Sequence, residues 1–200
     1  EKLQGVKVKN KVIENARLEV TDITIETQEA AEKLGRPVGR YITLTATDST
    51  FDMYSDSFRE RAEVIAKAIG ELCGGCERFL AVGLGNHALT SDAVGPLTAE
   101  KIFATRHIKS LAKEIDTDDL GEVTVIQPGV LGNTGIESSE QVKAIAERVT
   151  PQAVIAVDAL ACSELSNLGR TIQLCNTGIS PGSGVENARK ELSLSTLGVK

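Results

Sequence analysis

Three short apolar runs, separated by helical stretches, constrain the fold of this chain more than any other feature. The runs cover residues 79–84, 122–127 and 153–158. Strands that are apolar on both faces are typical of a parallel sheet covered by helices on both sides. The intervening helices are predicted at about 92–107 and 138–149, and the apolar residues of the second lie on one stripe. The chain is therefore predicted to be an α/β protein, a three-layer sandwich with a mostly parallel central sheet.

The N-terminal region has a different pattern. Alternating β-branched residues predict strands at 17–25 and 41–47, with a short helix between them that Gly35 and Pro37 end. These strands precede the core and are expected to have no helical partners. Residues 1–50 are therefore predicted to form an antiparallel flap or edge.

A longer helix is predicted to begin at Phe58, because apolar residues recur from there at spacings of three and four. The stripe, which should cover a sheet, consists of Phe58, Ala62, Ile65, Ile69 and Leu72. A further strand at 171–175 leads into a loop rich in Gly, Ser and Pro, and then into an apparently helical stretch. Since no linker interrupts the pattern, residues 1–200 are predicted to be a single domain. A sheet of this kind could take another strand and helix, so further chain is expected beyond Lys200.

Charge and composition exclude several classes of protein. A net charge of −6 and a pI near 5.1 argue against nucleic-acid binding, which needs clustered Lys and Arg. Aromatic residues make up 3% and Trp is absent, so few side chains could stack on single-stranded bases. No window reaches the ~18 apolar residues of a membrane span, and the first residues lack the apolar core of a secretory signal. We therefore expect a protein inside the cell, with no nucleic-acid or membrane partner.

The loops after the four predicted strands 79–84, 122–127, 153–158 and 171–175 are rich in Gly, Asn, Ser, Thr and acids. In an open parallel sheet, ligands bind beyond the carboxyl ends of the strands. Glycines in such loops let backbone N–H groups approach a ligand closely. A preorganised polar site is therefore predicted where the four loops meet.

Two aspartates in these loops are the candidates for chemistry. Asp158 closes an apolar strand, and Asp92 follows the first strand by a short loop and opens a helix. Two carboxylates in one cleft drive one pKa up, so that one acid holds a proton while the other acts as a base on water. Such a pair can hydrolyse a peptide bond. The alternatives are that Asp92 caps the following helix, as Ser91 or Thr90 also could, and that Asp158 accepts hydrogen bonds from neighbouring loops.

Other motifs are weaker. The GLGN segment would need a glycine at Ala88 to match a dinucleotide fingerprint. The CGGC segment lacks the second pair that a structural zinc site normally has, and is interpreted as small, buried or half-buried thiols. His107 is predicted to be a solvated cation at the end of a helix. His87 is interpreted as a surface or loop-stabilising residue, in preference to a direct role in the site. A Ser-His-Asp triad stays open, although no G-x-S-x-G elbow supports it. No metal or cofactor is expected.

Seven segments together resemble the spore germination protease family, and the resemblance spans residues 37–198. They are PVGRYITL (37–44), GLGN (83–86), DAVGP (92–96), ATRH (104–107), PGVLGNTGIESSE (128–140), VDALA (157–161) and TGISPGSGVEN (177–187). The resemblance implies an atypical aspartic endopeptidase of spore-forming bacteria that degrades small acid-soluble spore proteins in the spore core at germination. It further implies an inactive precursor, a homotetramer, and a fold similar to that of the hydrogenase-maturation peptidases. The two essential aspartates of the family match Asp92 and Asp158.

The predicted substrate-binding residues lie in the same loops. They are Asn86, Thr134, Glu137 and Ser180, although Asn86 could instead tie its own loop together. The chain departs from the family pattern in the fourth loop. Ser180 stands where the family has His, and Glu186 and Ala188 stand where it has Gly and Lys. Because a His after the last strand is a metal ligand in the maturation peptidases, Ser180 weakens the expectation of a metal site.

Three functions are therefore compared. The first is a metal-independent endopeptidase that uses the Asp92 and Asp158 pair. The second is a maturation-type peptidase that holds a divalent metal at the same acids. The third is a non-catalytic module whose glycine loops bind an extended peptide.

Overall fold

The structure, a computed structural model, describes residues 3–111, 117, 120–180 and 191–200. The helices and strands of the described part are β1 (Val6–Ile13), β2 (Leu18–Ile25), α1 (Gln28–Leu34), β3 (Gly39–Ala46), α2 (Phe58–Cys73), β4 (Arg78–Gly83), α3 (Val94–Lys101), α4 (Arg106–Leu111), β5 (Glu122–Ile126), α5 (Leu131–Thr134), α6 (Ser138–Val149), β6 (Ala153–Val157), β7 (Thr171–Cys175) and α7 (Leu194–Leu197). The chain divides into two compact units, Glu1–Gly75 with Cys162–Thr177 and Cys76–Ala161 with Gly178–Lys200. The single domain stays a prediction.

The first unit is built on a four-stranded antiparallel sheet in the order β1-β2-β3-β7. The strands predicted at 17–25 and 41–47 are confirmed as β2 and β3. The helix between them is α1, which begins after Thr27, whose side chain accepts the Ala30 N–H, and ends at Gly35 with φ +62°. Such a left-handed residue favours glycine and ends a helix.

Both faces of this sheet carry helices. On one face Leu18 and Leu44 are fully buried in a cluster that includes Ala68 of α2. A separate cluster joins Ile25 of β2 to Ala30 and Ala31 of α1. The prediction that these strands lack helical partners is therefore wrong. A role of residues 1–50 as a flap stays a prediction.

The buried stripe of α2 differs from the predicted one. Ile65 and Leu72 pack on the cluster as predicted, but Phe58 is 50% exposed, Ala62 is exposed, and Arg61 is only 2% exposed. Arg61 can be buried because its guanidinium donates to the carbonyl oxygens of Ala16 and Thr50 and pairs with Asp48. These partners offset the cost of burying a charge. A prediction from apolar residues alone therefore wrongly placed Phe58 and Ala62 in the buried stripe and left Arg61 out.

The second unit contains a three-stranded parallel sheet in the order β5-β4-β6, built from the three predicted apolar runs. Leu80, Val82 and Leu84 pack against Val142 and Ala146 of α6, whose bounds match the predicted helix. Gly83 faces Gly95 and Ala99 of α3. Since successive strand residues point to opposite faces, α6 and α3 cover opposite sides of the sheet. The α/β class and the parallel sheet are therefore confirmed, and the three-layer sandwich stays a prediction.

The helix predicted at about 92–107 is broken. It is replaced by α3 and α4, with Ile102 extended between them at ψ 128°. Thr105 binds the start of β5: its N–H donates to the Val123 carbonyl (3.0 Å), and its hydroxyl donates to the Gly121 carbonyl (2.5 Å). These contacts pull the chain out of the helix, and the apolar spacing alone did not indicate them.

The strand predicted at 171–175 is confirmed as β7, but it belongs to the antiparallel sheet, where it pairs with β3. Its side chains Ile172 and Leu174 pack on the apolar cluster of that sheet. The loop after residue 175 therefore does not follow a parallel strand, and the prediction that all four loops do so is wrong for the fourth. In the described part of the chain, no helix has both the length and the apolar character needed to cross a membrane.

Candidate active site

Asp92 is held by the backbone that leaves β4. The N–H of Asn86 donates both to Asp92 Oδ2 (2.8 Å) and to the Asp92 carbonyl (3.1 Å). The chain makes this close approach at Gly85, which has φ +117° and whose Cβ, if present, would lie 2.1 Å from the Asp92 carbonyl oxygen. Only glycine is tolerated in that conformation at that distance. The Asp92 carboxylate is therefore fixed against the end of β4.

Asp92 does not cap a helix. The residue at the N-cap of α3 is Ala93, whose side chain makes no capping hydrogen bond. Asp92 lies in a short 3₁₀ turn, Thr90–Asp92, that precedes it. The capping interpretation, including its versions for Ser91 and Thr90, is wrong. The hydrogen bond of Asp92 instead comes from its own loop.

Asp158 follows β6 directly. Strand β6 is the parallel neighbour of β4, with Gly83 beside Val157, and the Leu84 N–H donates to the Val157 carbonyl (2.9 Å). Asp158 Oδ1 accepts the Ala159 N–H at 2.9 Å, and the residue is half-buried. Both aspartates thus lie at the carboxyl ends of adjacent parallel strands, where substrates of open α/β sheets bind.

The loop after β5 contains two of the predicted substrate-binding residues. The Thr134 hydroxyl lies 2.9 Å from the Ile136 carbonyl and 3.2 Å from the Ile136 N–H, so it stabilises its own loop. Glu137 directly precedes α6, and its carbonyl accepts the Glu140 N–H (3.0 Å). Since β5 lies beside β4, this loop leaves the same edge of the sheet. Substrate binding by Thr134 and Glu137 stays a prediction.

Asn86 and Ser180 complete the predicted set. The Asn86 side-chain oxygen accepts the Ala88 N–H (3.0 Å), which confirms that Asn86 ties its own loop together. Ser180 is exposed and follows Ile179, which bridges to Leu192. The two other positions where the chain departs from the family pattern, Glu186 and Ala188, lie outside the described residues.

The histidines take peripheral positions. His87 Nε2 lies 3.1 Å from Glu100 Oε1 of α3, and the His87 side chain is 59% exposed. This contact favours the loop-stabilising interpretation. His107 is the second residue of α4 and not the end of a helix, so its predicted role as a C-terminal cation is wrong.

Sequence analysis gave no role to several apolar side chains near the acids. Leu89 and Val94 flank Asp92 and are 54% and 51% exposed, and Leu160, two residues after Asp158, is 54% exposed. Large apolar residues within loops otherwise made of Gly and polar residues were the available signal. These three exposed apolar side chains therefore lie in the same segments of the chain as the two aspartates.

Within the described residues, the cysteines and the possible metal ligands do not define a second site. Cys73 and Cys76 of the CGGC segment are half-buried and not in disulfides, as interpreted; Cys175 is also half-buried, and Cys162 is exposed. Among the residues that the structure describes, no three His, Cys, Asp or Glu side chains lie together as metal ligands would. Whether a metal takes part stays a prediction.

The fold and the site define an α/β protein with two loop carboxylates at the carboxyl edge of a parallel sheet. The family model described as "Germination protease" matches residues 1–200. The chain belongs to the germination protease family. The predicted resemblance is therefore confirmed and extends to the N-terminal residues.

Individual relatives agree. The chain is 39% identical over 200 residues to a germination protease of Clostridium perfringens. The alignment covers 98% of this chain and 61% of that protein. It is 41% identical over 184 residues to a germination protease of Caldanaerobacter subterraneus (91% of this chain, 56% of that protein). It is 38% identical over 204 residues to one of Priestia megaterium (98% and 54%). The chain therefore spans less than two thirds of the length of these relatives.

Proposed function

We propose that this chain carries the hydrolytic site of an endopeptidase that acts in spore germination on small acid-soluble spore proteins. The observation that carries the proposal is the position of Asp92 and Asp158 beyond the ends of the neighbouring strands β4 and β6. Membership of a family whose relatives are named germination proteases supports the reaction class.

The chemistry follows from two carboxylates that share one proton. The ionised carboxylate removes a proton from water, and the water oxygen bonds to the carbonyl carbon of the substrate while the protonated acid hydrogen-bonds to the carbonyl oxygen. The tetrahedral intermediate then collapses: the C–N bond breaks and the leaving nitrogen takes up a proton from the acid pair. A metal or cofactor is not required for this sequence of steps.

The loop around Asp92 suits this chemistry because it fixes the carboxylate before substrate binds. Asp92 Oδ2 accepts the Asn86 N–H at 2.8 Å, which orients the other oxygen, Oδ1, without engaging it in that bond. A carboxylate that is already oriented loses less entropy when the reaction geometry forms.

Exposed apolar side chains in the segments of the two acids support a peptide substrate. Leu89, Val94 and Leu160 expose about half of their surface, and each lies within three residues of Asp92 or Asp158. Peptide and ligand sites are lined mainly by apolar side chains with a few placed polar groups. An extended chain that lies across the loops would cover these side chains and present its backbone to the carboxylates.

The proposal extends to the finer properties of the family. Asn86, Thr134, Glu137 and Ser180 are proposed to contact the substrate. The aspartic type of the peptidase, an inactive precursor, a homotetramer, and a location in the spore core are proposed on the family resemblance.

The direct test is incubation of the protein with a purified small acid-soluble spore protein, read by mass spectrometry. We expect discrete fragments whose masses add up to the substrate plus one water for each cut. The same cleavage in the presence of a chelator is expected. Loss of cleavage that is restored by a divalent metal would favour the maturation-type peptidase, and tight binding of an uncut substrate would favour the peptide-binding module.

A further inference from the structure

Two buried glycines touch each other between the sheet and the helix that follows Asp92. A Cβ on Gly83, the last residue of β4, would lie 2.3 Å from the Gly95 carbonyl oxygen and 2.8 Å from Ala99 Cβ. Gly95 is in the first turn of α3, three residues after Asp92. The helix backbone therefore rests directly on the strand backbone.

Gly95 also contacts both strands that lead to the acids. A Cβ on Gly95 would lie 2.1 Å from the Leu84 carbonyl oxygen and 2.4 Å from the Val157 carbonyl oxygen. Leu84 follows β4, and Val157 is the residue before Asp158. Both of these Gly95 contacts are with backbone atoms, which cannot rotate away as the end of a side chain can.

A methyl group at this place would separate the parts that carry the two carboxylates. Since a real Cβ is essentially never closer than 3.0 Å to a heavy atom, the first turn of α3 would have to move by roughly 1 Å in a close-packed interior. Asp92 precedes this turn, and Asp158 follows the strand end that the turn contacts. A displacement of about 1 Å in a catalytic group can cost on the order of 100-fold in rate.

We propose that Gly83 and Gly95 are positioning residues, whose backbone contact sets the distance between the Asp92 and Asp158 carboxylates. The inference rests on the proposed function of these two acids. It assigns a positioning role to Gly95, the glycine of the DAVGP segment, which takes no direct part in the reaction.

The test compares Gly95→Ala and Gly83→Ala with the parent protein in two measurements. In cleavage of a small acid-soluble spore protein, we expect kcat to fall on the order of 100-fold and KM to stay within about threefold. In crystal structures, the distance between the Asp92 and Asp158 carboxylate carbons should differ from the parent by roughly 1 Å in both variants. This distance needs no turnover, so it tests the inference even if the parent cleaves nothing and the proposed function fails.

Two control variants separate positioning from stability. Val142→Ala shortens a fully buried side chain of α6, which packs on the opposite face of the same sheet. It should lower Tm, while kcat and the distance between the two carboxylates persist. Gly70→Ala places a methyl group in open space on α2. It should leave kcat and the distance between the carboxylates unchanged, and it should not lower Tm, because Ala favours a helix over Gly. The proposal is overturned if folded Gly95→Ala keeps the parent distance between the two carboxylates, or if it keeps kcat within about threefold of an active parent. It is likewise overturned if Val142→Ala loses as much activity as a glycine variant of equal Tm. It is also overturned if neither glycine variant folds, because the contact would then be required for the fold itself.

Discussion

The acid pair is the central feature at the scale of residues, and its geometry gives the first prediction. The Asp92 carboxylate accepts a hydrogen bond from Asn86 in the loop after β4, and Asp158 follows the adjacent strand β6. Two acids that share one water must flank it, so we expect their carboxylates within roughly 8 Å of each other in an experimental structure. A separation above about 12 Å would contradict a shared water.

The position of Asp92 and Asp158 at one sheet edge could be predicted from the sequence, because acids after parallel apolar strands collect there. The way Asp92 is held could not. Its partner is the backbone N–H of Asn86, and the contact depends on the positive φ of Gly85, which the one-letter code does not reveal. For the same reason Asp92 was open to interpretation as a helix cap, although Ala93 occupies that place.

At the scale of elements, apolar periodicity predicted most of the helices and strands. The three parallel strands, α6 and the pair β2 and β3 all lie where the pattern placed them. Two of the failures share a cause: a polar group overrides the pattern through a specific hydrogen bond. Thr105 ends the helical run by binding β5, and Arg61 enters the core because carbonyl oxygens meet it.

The ion pairs of Asp48 with Arg17 and Arg61 give a prediction of pH dependence. The hydrogen bond from Arg17 holds the pKa of Asp48 well below its usual range, and the charge of Arg61 acts in the same direction. A carboxyl whose pKa is lower in the folded state stabilises the fold above its unfolded pKa of about 3.9, and this contribution is lost as the pH falls below that value. The free energy of unfolding should therefore decrease from about pH 4 downward.

Two variants identify the source of this dependence. Asp48→Asn removes the titrating group, and Arg17→Gln removes the hydrogen bond that lowers its pKa. Both should make the fall in the free energy of unfolding shallower below about pH 4. The chain has no Trp, so unfolding is best followed by circular dichroism. Parallel curves for the parent and both variants would contradict the assignment to Asp48.

At the scale of the whole molecule, the sequence predicted the α/β class and a single domain, whereas the contacts divide the chain into two compact units with separate sheets. The division was not predictable, because β7 lies far along the chain from its partner β3. Long-range pairing of this kind leaves no local signal.

The single domain is still predicted, and calorimetry can test it. If both units unfold together, heating should give one transition whose calorimetric and van't Hoff enthalpies agree. Two resolved transitions, or a calorimetric enthalpy well above the van't Hoff value, would show that the units unfold separately.

The cleavage rate of Asp158→Asn and Asp92→Asn, measured on a small acid-soluble spore protein, tests the central claim most directly. An amide oxygen can still accept the loop N–H groups that bind these side chains, so the fold and Tm should persist, but an amide cannot take a proton from water. We predict that each variant loses at least about 100-fold in kcat, while Asp56→Asn, a change at an exposed aspartate of the other unit, cleaves like the parent. Activity within about tenfold of the parent in either site variant would contradict the proposal that this pair performs the hydrolysis.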